Sequence, residues 1–470
     1  MLGIIGVVLS LILLMYLAYR GFSVLVLAPL MATVAVVFAA GPILANYTQI
    51  YLPAVAGYIG TYLPIFLLGA IFGKAMDDTG AAKAIAVAIV NRLGARNAVL
   101  AVVLSCAILT YGGVSLFVVA FAVFPIAVNL YREADIPFRL IPGAIALGAF
   151  TFTMTGLPGS PQIQNSIPAP FFGTDAFAAP GIGIIASLIM FGGGMWWLLR
   201  RAKVAQKAGE GFRESASKKL EESERAEAER ESEKGDHSPS LILSVLPLVL
   251  VIAINLVLVR WVYPALDFSY LAEEQWGGVE IDDVAAIWAL TTALVVAIIV
   301  LFATLGRRMK DAKKTLNEGA FGSLLPAFNT ACEVGYGAVI AALPAFAIIR
   351  DGVLGISSNP AISAAVATNV LAGITGSSSG GMSIALETLG EQFRTMAEAQ
   401  GIDLELMHRV VTLSAGSFDT LPHSGAIITL LAITGMTHRK SYADIAMCTI
   451  VFPLISAAVA VLLGSIFGAF

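Results

Sequence analysis

Apolar residues gather along this chain into blocks, and about ten of these reach the roughly 20 residues that a helix needs to cross a bilayer core ~30 Å thick. Shorter apolar blocks lie among them, and the charged residues sit mainly in the stretches between. The pattern predicts an all-α chain that crosses a membrane many times. The first block, residues 2–18, has no basic residue before it and no clear small-residue cleavage site after it, so it is read as a retained span.

Four blocks are interrupted by small and helix-breaking residues: TYGGVSL (110–116), TFTMTGLPGSPQIQNSIP (151–168), GITGSSSGGMS (373–383) and SAGSFDTLPHSGAI (414–427). One segment is polar throughout. Residues 200–239 carry ten basic and ten acidic side chains and read as a solvated linker, partly helical through Glu/Lys and Glu/Arg neighbours, that divides two membrane halves.

Composition agrees with this and narrows the function classes. Of 470 residues, 58% are hydrophobic and 13% charged, and the mean hydropathy is +0.85, far outside the soluble range. The net charge of −4 gives no sign of nucleic-acid binding. Cys106, Cys332 and Cys448 each stand alone in apolar surroundings, without metal-ligand spacing, and are read as core residues. No P-loop or zinc motif occurs, so neither cofactor nor metal is expected.

The two halves resemble each other. A shift of 264 places LPGSPQI (from Leu157) over LPHSGAI (from Leu421) and YGGVSLFV over TGSSSGGM; a shift of 262 places Leu63-Pro64 over Leu325-Pro326. Paired, broken apolar segments in matching places are the sequence sign of a transporter built from repeats. The loop GRRMKDAKK (306–314) has five basic residues against one acidic, which puts it inside; residues 261–283 have six acidic residues and no Lys or Arg, which puts them outside. Threading spans through these constraints gives two inverted repeats, each of about five transmembrane helices plus one re-entrant hairpin, with broken helices at mid-membrane. Both termini are then outside and the linker inside. The expected organisation is scaffold helices in 1–96 and 240–359, a transport unit in 97–199 and 360–470, and the cytoplasmic linker in 200–239. Trp196, Trp197, Trp261 and Trp276 fall near span ends, as an aromatic belt would.

Irregular backbone at membrane depth survives only where protein or a polar cavity surrounds it. Pro158, Pro161 and Pro168 must break the first helix, and a restart there presents N–H groups and a positive dipole end beside Ser160, Gln162 and Asn165. The expected binding set is Gly112, Gly113, Ser115, Thr155, Gly156, Gly159, Ser160, Gln162, Asn165, Ser377, Ser378, Ser379, Thr420 and Ser424. No Arg or Lys lies inside these motifs, so the substrate carboxylate is expected on backbone N–H groups, hydroxyls and amides. Asp419 and His423 occur in one half only, which suits an ion-coupling site; a carboxylate at mid-bilayer costs at least ~2.5 kcal/mol. Three readings compete: symport of a small organic anion with H⁺ or Na⁺, cation/proton antiport on Asp419 without organic substrate, and hydrolysis by Ser424 with His423. Adjacent residues rarely present nucleophile and base to each other, so no enzyme is expected.

The combination YGGVSLFVVAFAVFPIA, TGLPGSPQIQNSIP, GITGSSSGGMSIAL and DTLPHSGAIITLLAITG resembles the gluconate permease family of proton-linked carboxylate symporters, within the larger ion transporter superfamily. The resemblance covers both membrane halves. It implies a multi-pass protein of the cell inner membrane, a homodimer, and a transport unit that moves like an elevator against a scaffold. One run departs from the sugar-acid members: FDTLPHSGA stands where they carry a His-Val-Asn-Asp-Ser-Gly type run. A smaller hydroxy acid such as 3-hydroxybutyrate is therefore as fitting a substrate as gluconate.

Overall fold

The computed structural model describes residues 2–20, 22–212 and 239–470, and among these every regular element is helical. Most of the charged linker, Gly235 included, lies outside the described residues.

In the first half the helices are α1 (Leu2–Tyr19), α2 (Val24–Phe38), α3 (Ile43–Asp78), α4 (Ala81–Leu93), α5 (Ala98–Tyr111), α6 (Leu116–Glu133), α7 (Phe138–Gly156) and α8 (Pro180–Lys207). The second half has α9 (Leu241–Ala265), α10 (Ile281–Arg308), α11 (Ala312–Ala342), α12 (Phe346–Leu354), α13 (Pro360–Thr375), α14 (Ser378–Ala399), α15 (Leu404–Phe418), α16 (Gly425–Thr434) and α17 (His438–Phe467). Seven of these are long and apolar enough to cross a membrane, or eight if α4 and α5, which meet at 104°, form one bent span. The chain is a multi-pass membrane protein. Large apolar side chains such as Leu44, Ile242 and Phe321 point outward, as a lipid-facing surface requires. By contrast α7 is buried almost throughout.

The central pair is α3 and α11, the helices that carry Pro64 and Pro326. They run antiparallel. Gly319 sits against the backbone of Ile71, and Gly335 against Tyr51 and Val55, so Pro64 and Pro326 lie at the same height along the pair. Lys74 at the end of α3 binds Glu318 at 2.9 Å, and Thr315 donates to Asp78 at 2.7 Å.

Two helix-turn-helix units pack onto this pair and its neighbours: α5/α6, turning at Gly112-Gly113, and α13/α14, turning at Gly376-Ser377. Gly113 (φ 93°) and Gly376 (φ 67°) take the left-handed backbone that each reversal needs. The broken segments follow each unit, after α7 and after α15. At one end of the molecule Asp444, on α17, receives Arg139 at 2.9 Å, Arg201 at 2.8 Å and the Trp197 indole at 3.0 Å. Arg139 also forks onto both oxygens of Glu210 at 2.6 and 3.0 Å.

Candidate functional site

The first broken segment begins where α7 loses its regular winding. Thr151 has φ −125° and ψ −113°, residues Phe152–Gly156 wind as a wider π turn, and Leu157 is extended. The prolines cannot supply donors here, so side chains close the gap. Ser160 Oγ donates to Thr153 O at 2.6 Å, and Asn165 Nδ2 to Met154 O at 2.8 Å. Gln162 Nε2 donates to Thr110 O at 2.8 Å, and Tyr111 donates to Pro158 O at 2.7 Å. These last two bonds fix the first hairpin tip on the first break. Pro161 also fills the space beside Gly113.

The chain restarts only as a 3₁₀ turn (Ile163–Asn165) and one turn of helix (Ala169–Phe172) before α8 begins at Pro180. A turn that short brings little helix dipole. Positive charge comes instead from Arg409 on α15, which is fully buried. Its Nε and Nη2 donate to Ala178 O at 3.0 and 2.7 Å, and Nη2 also reaches Ala176 O at 3.1 Å. Its Nη1 donates to Thr155 O at 3.2 Å and to Asn165 Oδ1 at 2.9 Å. Asp175 and Glu405 face this charge at longer range. They line, with Asp282, Asp403 and Arg260, a cavity of about 540 Å³. His408, next to Arg409, meets Thr174 at 2.7 Å through Nδ1.

The second break packs on the first, with Thr155 against Gly416. It also packs on the second hairpin tip, where the His423 ring and the Ser424 Cα close over Gly376 at 3.1 to 3.2 Å from the position of a Cβ. Ser377 caps α14 by accepting from Gly380 N at 3.0 Å. Ser378 neighbours the Asp419 carboxyl, and its hydroxyl accepts from Gln164 Nε2 at 2.9 Å. That bond joins the halves of the chain across 214 positions.

The expected residues thus fall into two groups. Ser160, Gln162, Asn165 and Thr420 already spend donors within the protein; Thr420 bonds Thr449 at 2.7 Å. With Gly112, Gly113, Ser115, Thr155, Gly156 and Gly159 they lie on the breaks and the first hairpin tip. Around the second tip, polar atoms stay without partners although buried: Gln164 Oε1, Asp419 Oδ1, His423 Nε2 and Ser424 Oγ. His423 and Ser424 are not hydrogen-bonded to each other through those atoms. Sequence reasoning passed over Arg409, Gln164 and a buried Glu333 on α11. A charge inside an apolar helix was the available signal for two of them.

Residues 1–464 match the GntP family of permeases. The chain is also 46% identical over 454 residues to the "Uncharacterized transporter YxjC" of Bacillus subtilis (strain 168), covering 95% of this chain and 96% of that protein. A match of this extent includes both broken segments and both hairpins, and the chain belongs to the GntP permease family of membrane transporters.

Proposed function

We propose that this protein is a secondary transporter that carries a small organic carboxylate, gluconate or a short hydroxy acid such as 3-hydroxybutyrate, across the cell inner membrane together with H⁺. The observation that carries the reading is the set of buried, unpartnered polar atoms on Gln164, Asp419, His423 and Ser424, gathered at the second hairpin tip. A buried polar group left without a partner costs about 1–3 kcal/mol, so four gathered at one tip support the reading that a hydrogen-bonding cargo meets them. Their mix suits a hydroxy acid: a hydroxyl and an amide for oxygen atoms, and a carboxyl that must take up a proton before a second carboxylate can approach.

The halves act as inverted repeats, a reading supported by the antiparallel run of α3 against α11. Residues 97–199 and 360–470 form the moving unit, with α5/α6 and α13/α14 as re-entrant hairpins; residues 1–96 and 240–359 form the scaffold of a homodimer. Substrate contacts come from Ser377, Ser378, Ser379 and Ser424, with the first break as backing.

Uptake of radiolabelled acids into proteoliposomes, with and without an inward pH gradient, tests this. Accumulation that follows the gradient is the expected result. Proton movement driven by an alkali cation, without uptake of any acid tried, would establish the antiporter reading instead.

A further inference from the structure

Glu333 stands on α11, outside every broken segment, with a side chain 3% exposed and an Oε2 that has no hydrogen-bond partner. That oxygen occupies the place a Cβ on Gly380 would take. Only glycine in the first turn of α14 lets the carboxyl seat there. Ser377 is the hydroxyl beside it, and three residues back along α11 Thr330 Oγ1 meets Ser379 Oγ at 3.3 Å.

The other groups facing Glu333 are Tyr58 from α3, with Glu387 of α14 beyond it, and Cys332 on its own helix with Tyr51 behind. None is a cation. An ionised carboxylate buried without a counter-charge is strongly disfavoured, whereas the acid form needs no partner charge.

We propose that Glu333 is a proton-binding site at the contact between α11 and the second hairpin tip, protonated while the tip is docked and ionised when α14 withdraws and water reaches the carboxyl. On undocking the proton passes from the carboxyl to water, and on docking it returns; no other bond changes. The site rests on the reading that the hairpin moves against α11, but not on the identity of the cargo.

The test is infrared spectroscopy of the full chain in lipid bilayers, without any substrate, following the protonated-carboxyl stretch as pH is raised. Wild type and Asp419→Asn should both show a band that Glu333→Gln lacks. Gly380→Ala, whose methyl group displaces the carboxyl, should lose it as well. A band unchanged in both Glu333→Gln and Gly380→Ala overturns the proposal. Tying the tip to α11 by a disulfide in the Thr330→Cys/Ser379→Cys variant should move the band's titration to higher pH. An unmoved titration overturns the link to docking. Since no acid is supplied, loss of the band in Glu333→Gln would stand even if wild type transported none of the acids tried.

Discussion

Arg409 holds a full charge where water does not reach, and all five of its hydrogen bonds end on carbonyl or amide oxygens of the first break. Lysine offers three donors on a point charge. Arg409→Lys therefore keeps the charge and loses at least two charge-assisted bonds, a destabilisation of about 3 kcal/mol, measurable by denaturant unfolding in detergent. An unchanged midpoint would show that the break holds itself. At Asp419 the expected effect is on coupling instead. Asp419→Asn should abolish accumulation driven by a pH gradient while preserving some substrate binding or exchange. Normal accumulation in this variant would reduce Asp419 to a helix cap. At this scale the sequence is a partial guide: Asp419 and His423 stand beside a proline that announces the break, whereas Arg409 and Glu333 stand in unbroken helices. Their importance comes from what the fold brings opposite, the Ala176 and Ala178 carbonyls and Gly380, and no local pattern contains that.

Breaks and turns are the most legible elements, because Pro and Gly act on the backbone wherever they fall. Pro158 and Pro161 end the winding of α7, and Gly112-Gly113 and Gly376 turn the two hairpins, as their residue types require. How the chain resumes was not legible, since the lone turns at 163–165 and 169–172 are stabilised by partners far away in sequence, Arg409 among them. The tie at the end of α8 is of the same kind. Arg139 holds the Glu210 carboxyl below its usual range through their paired hydrogen bonds. The stabilisation from a depressed acid is present above its unfolded value, near 4.3 for glutamate, and is lost as pH falls through the lower, folded value. Glu210→Gln should thus cost a little stability at neutral pH, under about 1 kcal/mol for a group this exposed. Below the folded value the difference from wild type should vanish. Melting temperatures of both proteins across that range check the sign.

The antiparallel helices α3 and α11, each bearing a proline, form the axis on which the hairpins sit. The matched LP pairs draw attention to these two helices in the sequence, but the contact between them was not legible there, because it depends on Gly319 and Gly335 meeting a partner helix in space. If the hairpins travel against this axis, fastening one to it must stop the cycle. Thr330→Cys/Ser379→Cys replaces hydroxyls 3.3 Å apart, so oxidation should halt whatever uptake the reduced variant retains after losing the Ser379 hydroxyl, and a reductant should return it to that level. Full uptake by the oxidised, demonstrably bridged protein would exclude such a movement. Arg409 bears on the electrical character of such a cycle. Held by five oxygens inside the protein, its charge can be neither shed nor exchanged. If the part that moves returns empty with Asp419 ionised, and loaded with Asp419 protonated beside one anionic cargo, Arg409 and every other fixed charge are the same on both journeys. Proton and cargo then cancel, so a voltage clamped across the membrane with a potassium ionophore should leave the height of accumulation unchanged, and that height should follow the pH difference alone.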